Sequence, residues 1–185
     1  MKYQSQVKIV TNANILNLER NYFNPRLPRC SIYKKILNFF RTNNMSTLNR
    51  AIEIATKAHE GATDKFGAPY INHVTRVMNM GETVDEKIVG VLHDVIEDTH
   101  WTFVDLEKEG FSKEVIDALK CVTKTSEDED YEEFITRVKI NPLAVKVKLN
   151  DLTDNLDIKR MPEVLESDLK RLNKYLRAYN ELIKL

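Results

Sequence analysis

The chain has 185 residues, 42% apolar and 30% charged, with 28 basic and 28 acidic side chains. That length suits one domain with its own core, and the composition is that of a globular protein rather than a disordered or fibrous one. No apolar run approaches the roughly 18 residues of a membrane helix, residues 1–20 lack a signal-like apolar stretch, and Cys30 and Cys121 have no metal-type spacing, so a reducing, cytoplasmic setting without a membrane partner is expected.

The zero net charge conceals an asymmetry. Residues 1–44 hold eight of the 28 basic side chains and one of the 28 acids, Glu19, which leaves 20 basic and 27 acidic residues for the remainder. This first stretch is Asn-rich, lacks glycine and has no sustained periodicity. A basic arm could bind nucleic acid. A dispensable or disordered extension is the reading favoured here, because Met45 followed by a capping Ser46 resembles a natural start. The segment 31–40 has the pattern of a short helix. The expected division is an extension over 1–44 and one domain over 45–185.

From residue 45 the pattern is helical throughout. Leu48, Ala51, Ile52, Ala55 and Ala58 recur at helical spacing behind Ser46. Gly67 and Pro69 interrupt it. Ile71, Val74, Val77 and Met78 form a second stripe ended by Gly81, and Ile88, Val91, Leu92, Val95 and Ile96 a third, read as one helix. Thr102 with Asp105 forms a capping box for a short helix. Ser112 starts the next, with Val115, Ile116, Leu119 and Val122. Residues 131–138 supply Tyr131, Phe134, Ile135 and Val138. Pro142 suits a first helical position ahead of Val145, Leu149, Leu152 and Leu156. The last helix carries Val164, Leu165, Leu169, Leu172, Leu176, Tyr179 and Ile183. There is no hairpin signal, so the fold class is an all-α helical bundle.

Several polar groups are set into these stripes. His93 and Asp94 interrupt the apolar run of the third helix, His73 lies between Ile71 and Val74, and Asp151 lies between Leu149 and Leu152. Charges in apolar surroundings need compensation. A core hydrogen-bond network or a metal ion could provide it. Two imidazoles with two carboxylates suit a first-row divalent ion such as Mn, Fe, Zn or Co, and leave positions for water.

Four stretches in order, AIEIATKAHEGATDKFGAPYINHVTRV, GVLHDVIEDT, EVIDALKCVTKT and VKVKLNDLTDNLD, resemble the hydrolase domain of the RelA/SpoT family, within the HD-domain phosphohydrolases. The resemblance covers about residues 50–160 and is strongest for small single-domain alarmone hydrolases. It implies an HD-domain helical bundle that uses one divalent ion, usually Mn²⁺, to remove the 3′-pyrophosphate from ppGpp. It further implies His73, His93, Asp94 and Asp151 as metal ligands, and Glu97 and Asp98 as the acidic pair that positions or activates the attacking water. Asn155, Lys65 and Tyr70 would line the nucleotide site. Lys159 and Arg160, close after Asn155, are candidate phosphate contacts, with Lys124 and Lys148 as further ones. His59 is expected in the core or behind the ligands, and His100 at a helix end.

The chain departs from the alarmone pattern at Asp64, where an arginine is usual, and at Asn150 and Ile158. The acidic stretch 127–133 lies where a polyanion would prefer base. The expected partner is therefore a phosphorylated nucleotide, ppGpp first. The alternatives are hydrolysis of another nucleotide, or a nucleotide- or nucleic-acid-binding regulator without turnover. Too few residues follow Asp151 for a synthetase domain, so a degrading role is expected. A chain starting at Met45 should keep the thermal melting point and turnover of the full chain, because residues 1–44 offer no stripe to dock on a core. A large loss of either would assign the arm a structural role.

Overall fold

The computed structural model describes residues 47–126 and 128–185. The basic arm, the short helix over 31–40 and the cap at Ser46 lie outside the described residues. Thr47 provides the first cap, its side chain accepting from the Arg50 N–H.

The order is α1 (Leu48–Ala58), α2 (Ile71–Met80), α3 (Val84–Leu92), α4 (Val95–Asp98), α5 (Phe103–Lys108), α6 (Lys113–Val122), α7 (Tyr131–Val138), α8 (Pro142–Asn155), a 3-10 turn (Ile158–Arg160) and α9 (Glu166–Leu182). The capping chemistry read from sequence recurs here. Thr102 and Asp105 form the capping box of α5, Ser112 caps α6, and Pro142 occupies the first turn of α8 behind Asn141. The acidic stretch before α7 is partly used locally. Asp130 accepts from the N–H groups of Glu132 and Glu133, and Glu129 pairs with Arg137.

The core centres on the second half of α3, which buries Ile88, Val89, Val91 and Leu92 and is apolar around its circumference. It packs against α1, α2, α6 and α8. Gly90 sets how closely α3 approaches α2. A Cβ at that position would lie 3.1 Å from the Met78 Cα and 3.2 Å from its N. A side chain there would need the Met78 backbone to give by a few tenths of an ångström.

Three expectations are corrected. The third helix is not continuous, because α3 ends at Leu92 and α4 begins at Val95, with His93 and Asp94 in the joint. Adjacent residues of an unbroken helix project about 100° apart, and the joint lets these two reach one site. In α8, the residues buried most deeply include Ala144, Val147 and Leu152, while Val145 and Leu149 are half-buried. The helix has neighbours on several sides, so a single stripe does not describe it. In α9, the leucine stripe faces outward, with Leu169 49%, Leu176 48% and Ile183 56% exposed. The helix buries Ala178 and Leu182 instead.

Gly90→Ala should destabilise the fold. Alanine is favoured over glycine inside a helix by up to about 1 kcal/mol. Pressing a methyl group onto the Met78 backbone costs about 1–3 kcal/mol, and the clash should win. Chemical denaturation should show a lower midpoint at unchanged slope.

Candidate metal centre

His73, from the first turn of α2, and His93, from the joint after α3, meet with rings 5.3 Å apart. Each uses Nδ1 to fix its orientation. His73 Nδ1 donates to Asp154 Oδ2 at 2.6 Å, and His93 Nδ1 donates to the Gly90 carbonyl at 2.8 Å. With Nδ1 engaged, Nε2 of each ring faces the shared site. Asp94 Oδ2 lies 3.5 Å from His73 Nε2 and 3.1 Å from His93 Nε2. Asp151 Oδ1, from α8, lies 3.3 Å and 3.6 Å from the same nitrogens.

This spacing fits a cation. Neighbouring donors that each bind one ion at about 2.1 Å sit about 3.0–3.4 Å apart. His73, His93 and Asp94 form a group that could hold a metal ion. His93 Nε2 is fully buried and lacks a hydrogen-bond partner within the protein, which is the orphan donor a ligand set leaves before its ion is added.

The electrostatics agree. Burial lowers the proton affinity of both imidazoles, but the surrounding carboxylates outweigh it. His73, beside Asp151, Asp154 and Asp94, is raised to about 11, and His93, beside Asp94 and Asp151, to about 10. Asp94 and Asp151 are opposed by burial, yet both are held far below the usual carboxylate range. The imidazoles do this for Asp94, and Lys148 together with the imidazoles for Asp151. The carboxylates thus create a negative field at both imidazoles, of the kind a divalent cation would also satisfy.

Asp154 escaped the sequence reading, and Lys148, read there as a candidate phosphate contact, pairs with Asp151. Asp154 is buried and receives His73 Nδ1–H, the Arg76 guanidinium at 2.5 Å and Arg160 at 3.2 Å. Lys148 donates to Asp151 Oδ2 at 2.7 Å. The signal was helical spacing. Lys148, Asp151 and Asp154 succeed one another three residues apart on α8 and share a face.

Glu97 and Asp98 lie on α4 at the edge of a cleft beside the cluster. Glu97 Oε1 accepts from the Lys124 N–H at 2.5 Å. Both residues are exposed overall, but their carboxyl groups border the cleft. Partial loss of water there, with the Asp94 and Glu97 charges, raises Asp98 to about 6, and burial likewise raises Glu97. Tyr70 Oη donates to Asp94 Oδ2 at 2.6 Å. Asn155 Nδ2 donates to Asp151 Oδ1 at 2.6 Å.

A second cavity, of about 210 Å³, opens on the other side of Tyr70, His73 and Asn155 and is lined by Lys65, Arg160 and Arg171 among others. Lys65 pairs with Asp168 of α9, and Arg160 donates to the Asp154 carbonyl at 2.9 Å. Lys159 is not brought to the site. Its side chain is 87% exposed beside Asp157 and lines neither cavity, because the 3-10 turn directs Arg160 inward instead. Asp64, at the position where the alarmone pattern has arginine, builds its own loop by accepting from the Phe66 and Ala68 N–H groups. His59 is buried beside the Tyr70 ring at 5.0 Å, and His100 is exposed after α4.

Known proteins resemble this chain over part of their length. No protein-family model matches the chain. It is 30% identical over 141 residues to the bifunctional (p)ppGpp synthase/hydrolase SpoT of Escherichia coli, covering 68% of this chain and 20% of that protein. A probable GTP pyrophosphokinase of Mycobacterium leprae is 29% identical over 157 residues, covering 78% of this chain and 19% of the relative. A guanosine-3′,5′-bis(diphosphate) 3′-pyrophosphohydrolase of Aquifex aeolicus is 28% identical over 134 residues. The chain carries a RelA/SpoT-type HD domain. It spans about a fifth of the length of these curated relatives. The fold is also that of a solved metazoan SpoT ortholog described as hydrolysing ppGpp, with a TM-score of 0.58 and 23% identity over 74% of this chain and 83% of that one. Among the described residues of this HD domain, no helix is long and apolar enough to cross a membrane.

Metal binding to the HD domain must displace the imidazolium protons, so affinity should fall as pH falls. Calorimetry on metal-stripped protein between pH 8 and pH 6 should show a loss of about tenfold per pH unit for each proton displaced, with about two displaced. An affinity independent of pH would remove the imidazoles from the ligand set.

Proposed function

We propose that this HD domain hydrolyses a phosphorylated nucleotide, with ppGpp as the substrate and its 3′-pyrophosphate as the group removed. The observation that carries the reading is the convergence of His73, His93, Asp94 and Asp151 on one buried point, with the acidic edge of Glu97 and Asp98 beside it. The names of the relatives supply the substrate. Three of them, from Escherichia coli, Aquifex aeolicus and a metazoan, are described by ppGpp hydrolysis.

Those four side chains would hold one divalent ion, Mn²⁺ in this proposal. When bound, it would stabilise charge at the attacked phosphorus and raise the acidity of water. The remaining work falls to the chain itself. Asp98, with a proton affinity near 6, is matched to accept a proton near neutral pH. Glu97 has one carboxylate oxygen fixed by the Lys124 amide, which orients the other oxygen. Tyr70 and Asn155 hold the Asp94 and Asp151 carboxylates in place. The cavity lined by Lys65, Tyr70, Asn155 and Arg160 is proposed to receive the nucleoside side of the substrate. A cytoplasmic setting is part of this proposal, in keeping with a water-soluble nucleotide substrate.

A second reading has one observation in its favour. Asp64 is committed to the loop 64–68, so a base-stacking arginine is absent from that position. A nucleotide with a different base would then be preferred by the same centre.

Glu97→Gln keeps shape but removes a negative charge and proton acceptor. It should retain metal and nucleotide affinity while turnover of ppGpp falls by about 10²–10⁴. His93→Ala should lose the ion as well. Metal stoichiometry, nucleotide affinity and kcat on the same preparations separate the two roles. Full turnover in Glu97→Gln would leave Asp98 as the acidic group that matters, and no turnover of ppGpp by the unaltered protein would favour the second reading.

A further inference from the structure

The cleft beside Glu97 and Asp98, about 200 Å³ in volume, has a second half that metal chemistry does not use. Lys124 follows α6, Lys148 comes from α8 and Lys174 from α9, and all three line it. Lys174 Nζ lies 4.5 Å from the centre of the Tyr131 ring and 5.4 Å from that of Tyr175. The two rings are 6.1 Å apart. Lys148 Nζ is 4.9 Å from the Phe134 ring while it donates to Asp151. Among the described residues, no carboxylate pairs with Lys174. The Tyr131 hydroxyl is buried in the same place and lacks a hydrogen-bond partner.

Each feature is unfavourable without a ligand. Burial lowers the proton affinity of Lys174, and the charges of Lys124, Lys148 and Arg171 lower it further. Burial pushes the Tyr131 hydroxyl up to about 12, so it remains a proton donor at neutral pH. A buried donor left unpaired is destabilising. Aromatic faces hold the ammonium groups from behind, which leaves their N–H bonds free to point at an anion. The opposite half of the cleft holds Asp94, Glu97, Asp98 and Asp151. An anion is therefore accepted only at the basic half, unless a cation occupies the cluster.

We propose that Lys124, Lys148, Lys174 and the Tyr131 hydroxyl form a subsite for the far phosphate of a diphosphate group whose near phosphate lies at the His73–Asp151 cluster. This rests on the hydrolase reading for its role in turnover, though not for its ability to bind. In that reaction a water oxygen bonds to the near phosphorus. The bond from that phosphorus to the ribose oxygen breaks, and the ribose oxygen gains a proton. Pyrophosphate leaves with both phosphorus atoms, so the far phosphate needs a place before and after cleavage. The three ammonium groups and one hydroxyl match its charge and acceptors. The same subsite would make the enzyme select a 3′-diphosphate over a 3′-monophosphate.

The test uses the full chain with its bound metal and two probes, inorganic pyrophosphate and inorganic phosphate, titrated by calorimetry. The unaltered protein should bind pyrophosphate at least about tenfold more tightly than phosphate. Lys174→Met should remove most of that preference by weakening pyrophosphate about tenfold and leaving phosphate unchanged, and Tyr131→Phe should weaken pyrophosphate by a smaller factor. Lys170→Met, at an exposed position on the same helix, should change neither. Because Lys174 is repelled by its neighbours, Lys174→Met should melt no lower than the unaltered protein, which separates lost binding from lost folding. Equal affinity for the two probes, or equal behaviour of Lys174→Met and Lys170→Met, would overturn the subsite. Absence of ppGpp turnover with the pyrophosphate preference intact would overturn the hydrolase reading and leave the subsite standing.

Discussion

The contact on which the structure depends is the buried meeting of two imidazoles with three carboxylates. His73 sits between Asp154 on its Nδ1 side and Asp94 and Asp151 on its Nε2 side. None of these groups could be buried alone, since an isolated ion in a protein interior costs several kcal/mol. Together they compensate each other. Lys148 and Arg76 close the arrangement by pairing with Asp151 and Asp154.

That constraint explains the scaffold. Three segments must present side chains at one point, which requires α2, the joint after α3, and α8 to be packed closely. Gly90 allows α3 to approach the backbone of α2 and also supplies the carbonyl that orients His93. The break at His93 and Asp94 is the local adjustment that brings two neighbouring residues to one site. Helical continuity is given up where the chemistry requires it, as is common at functional positions.

Around the centre, the charges divide into two compartments. On one side Lys65 and Arg160 are already neutralised by Asp168 and Asp154, so little unpaired positive charge remains there. On the other side Lys174 and the Tyr131 hydroxyl have no partner among the described residues. α9 contributes to both compartments, through Asp168 and Lys174. Its inward polar residues face the two cavities, while Leu169 and Leu176 are left on the outside.

The helices and their caps were legible in the sequence, because a 3.6-residue period and a capping side chain act over a few residues. The meeting of His73, His93, Asp94 and Asp151 was legible too, since polar groups inside apolar stripes stand out. Other contacts across the chain were not. Asp154 reads as an ordinary surface acid until α2 brings His73 and Arg76 onto it. Lys174 reads as a solvated lysine until α6, α7 and α8 enclose it. Lys159 and Arg160 are equivalent by composition, and the 3-10 turn alone decides which faces inward. The outward leucines of α9 follow the same rule. Periodicity shows that a helix has an apolar face, but which face finds a neighbour is settled by the packing of elements distant in sequence.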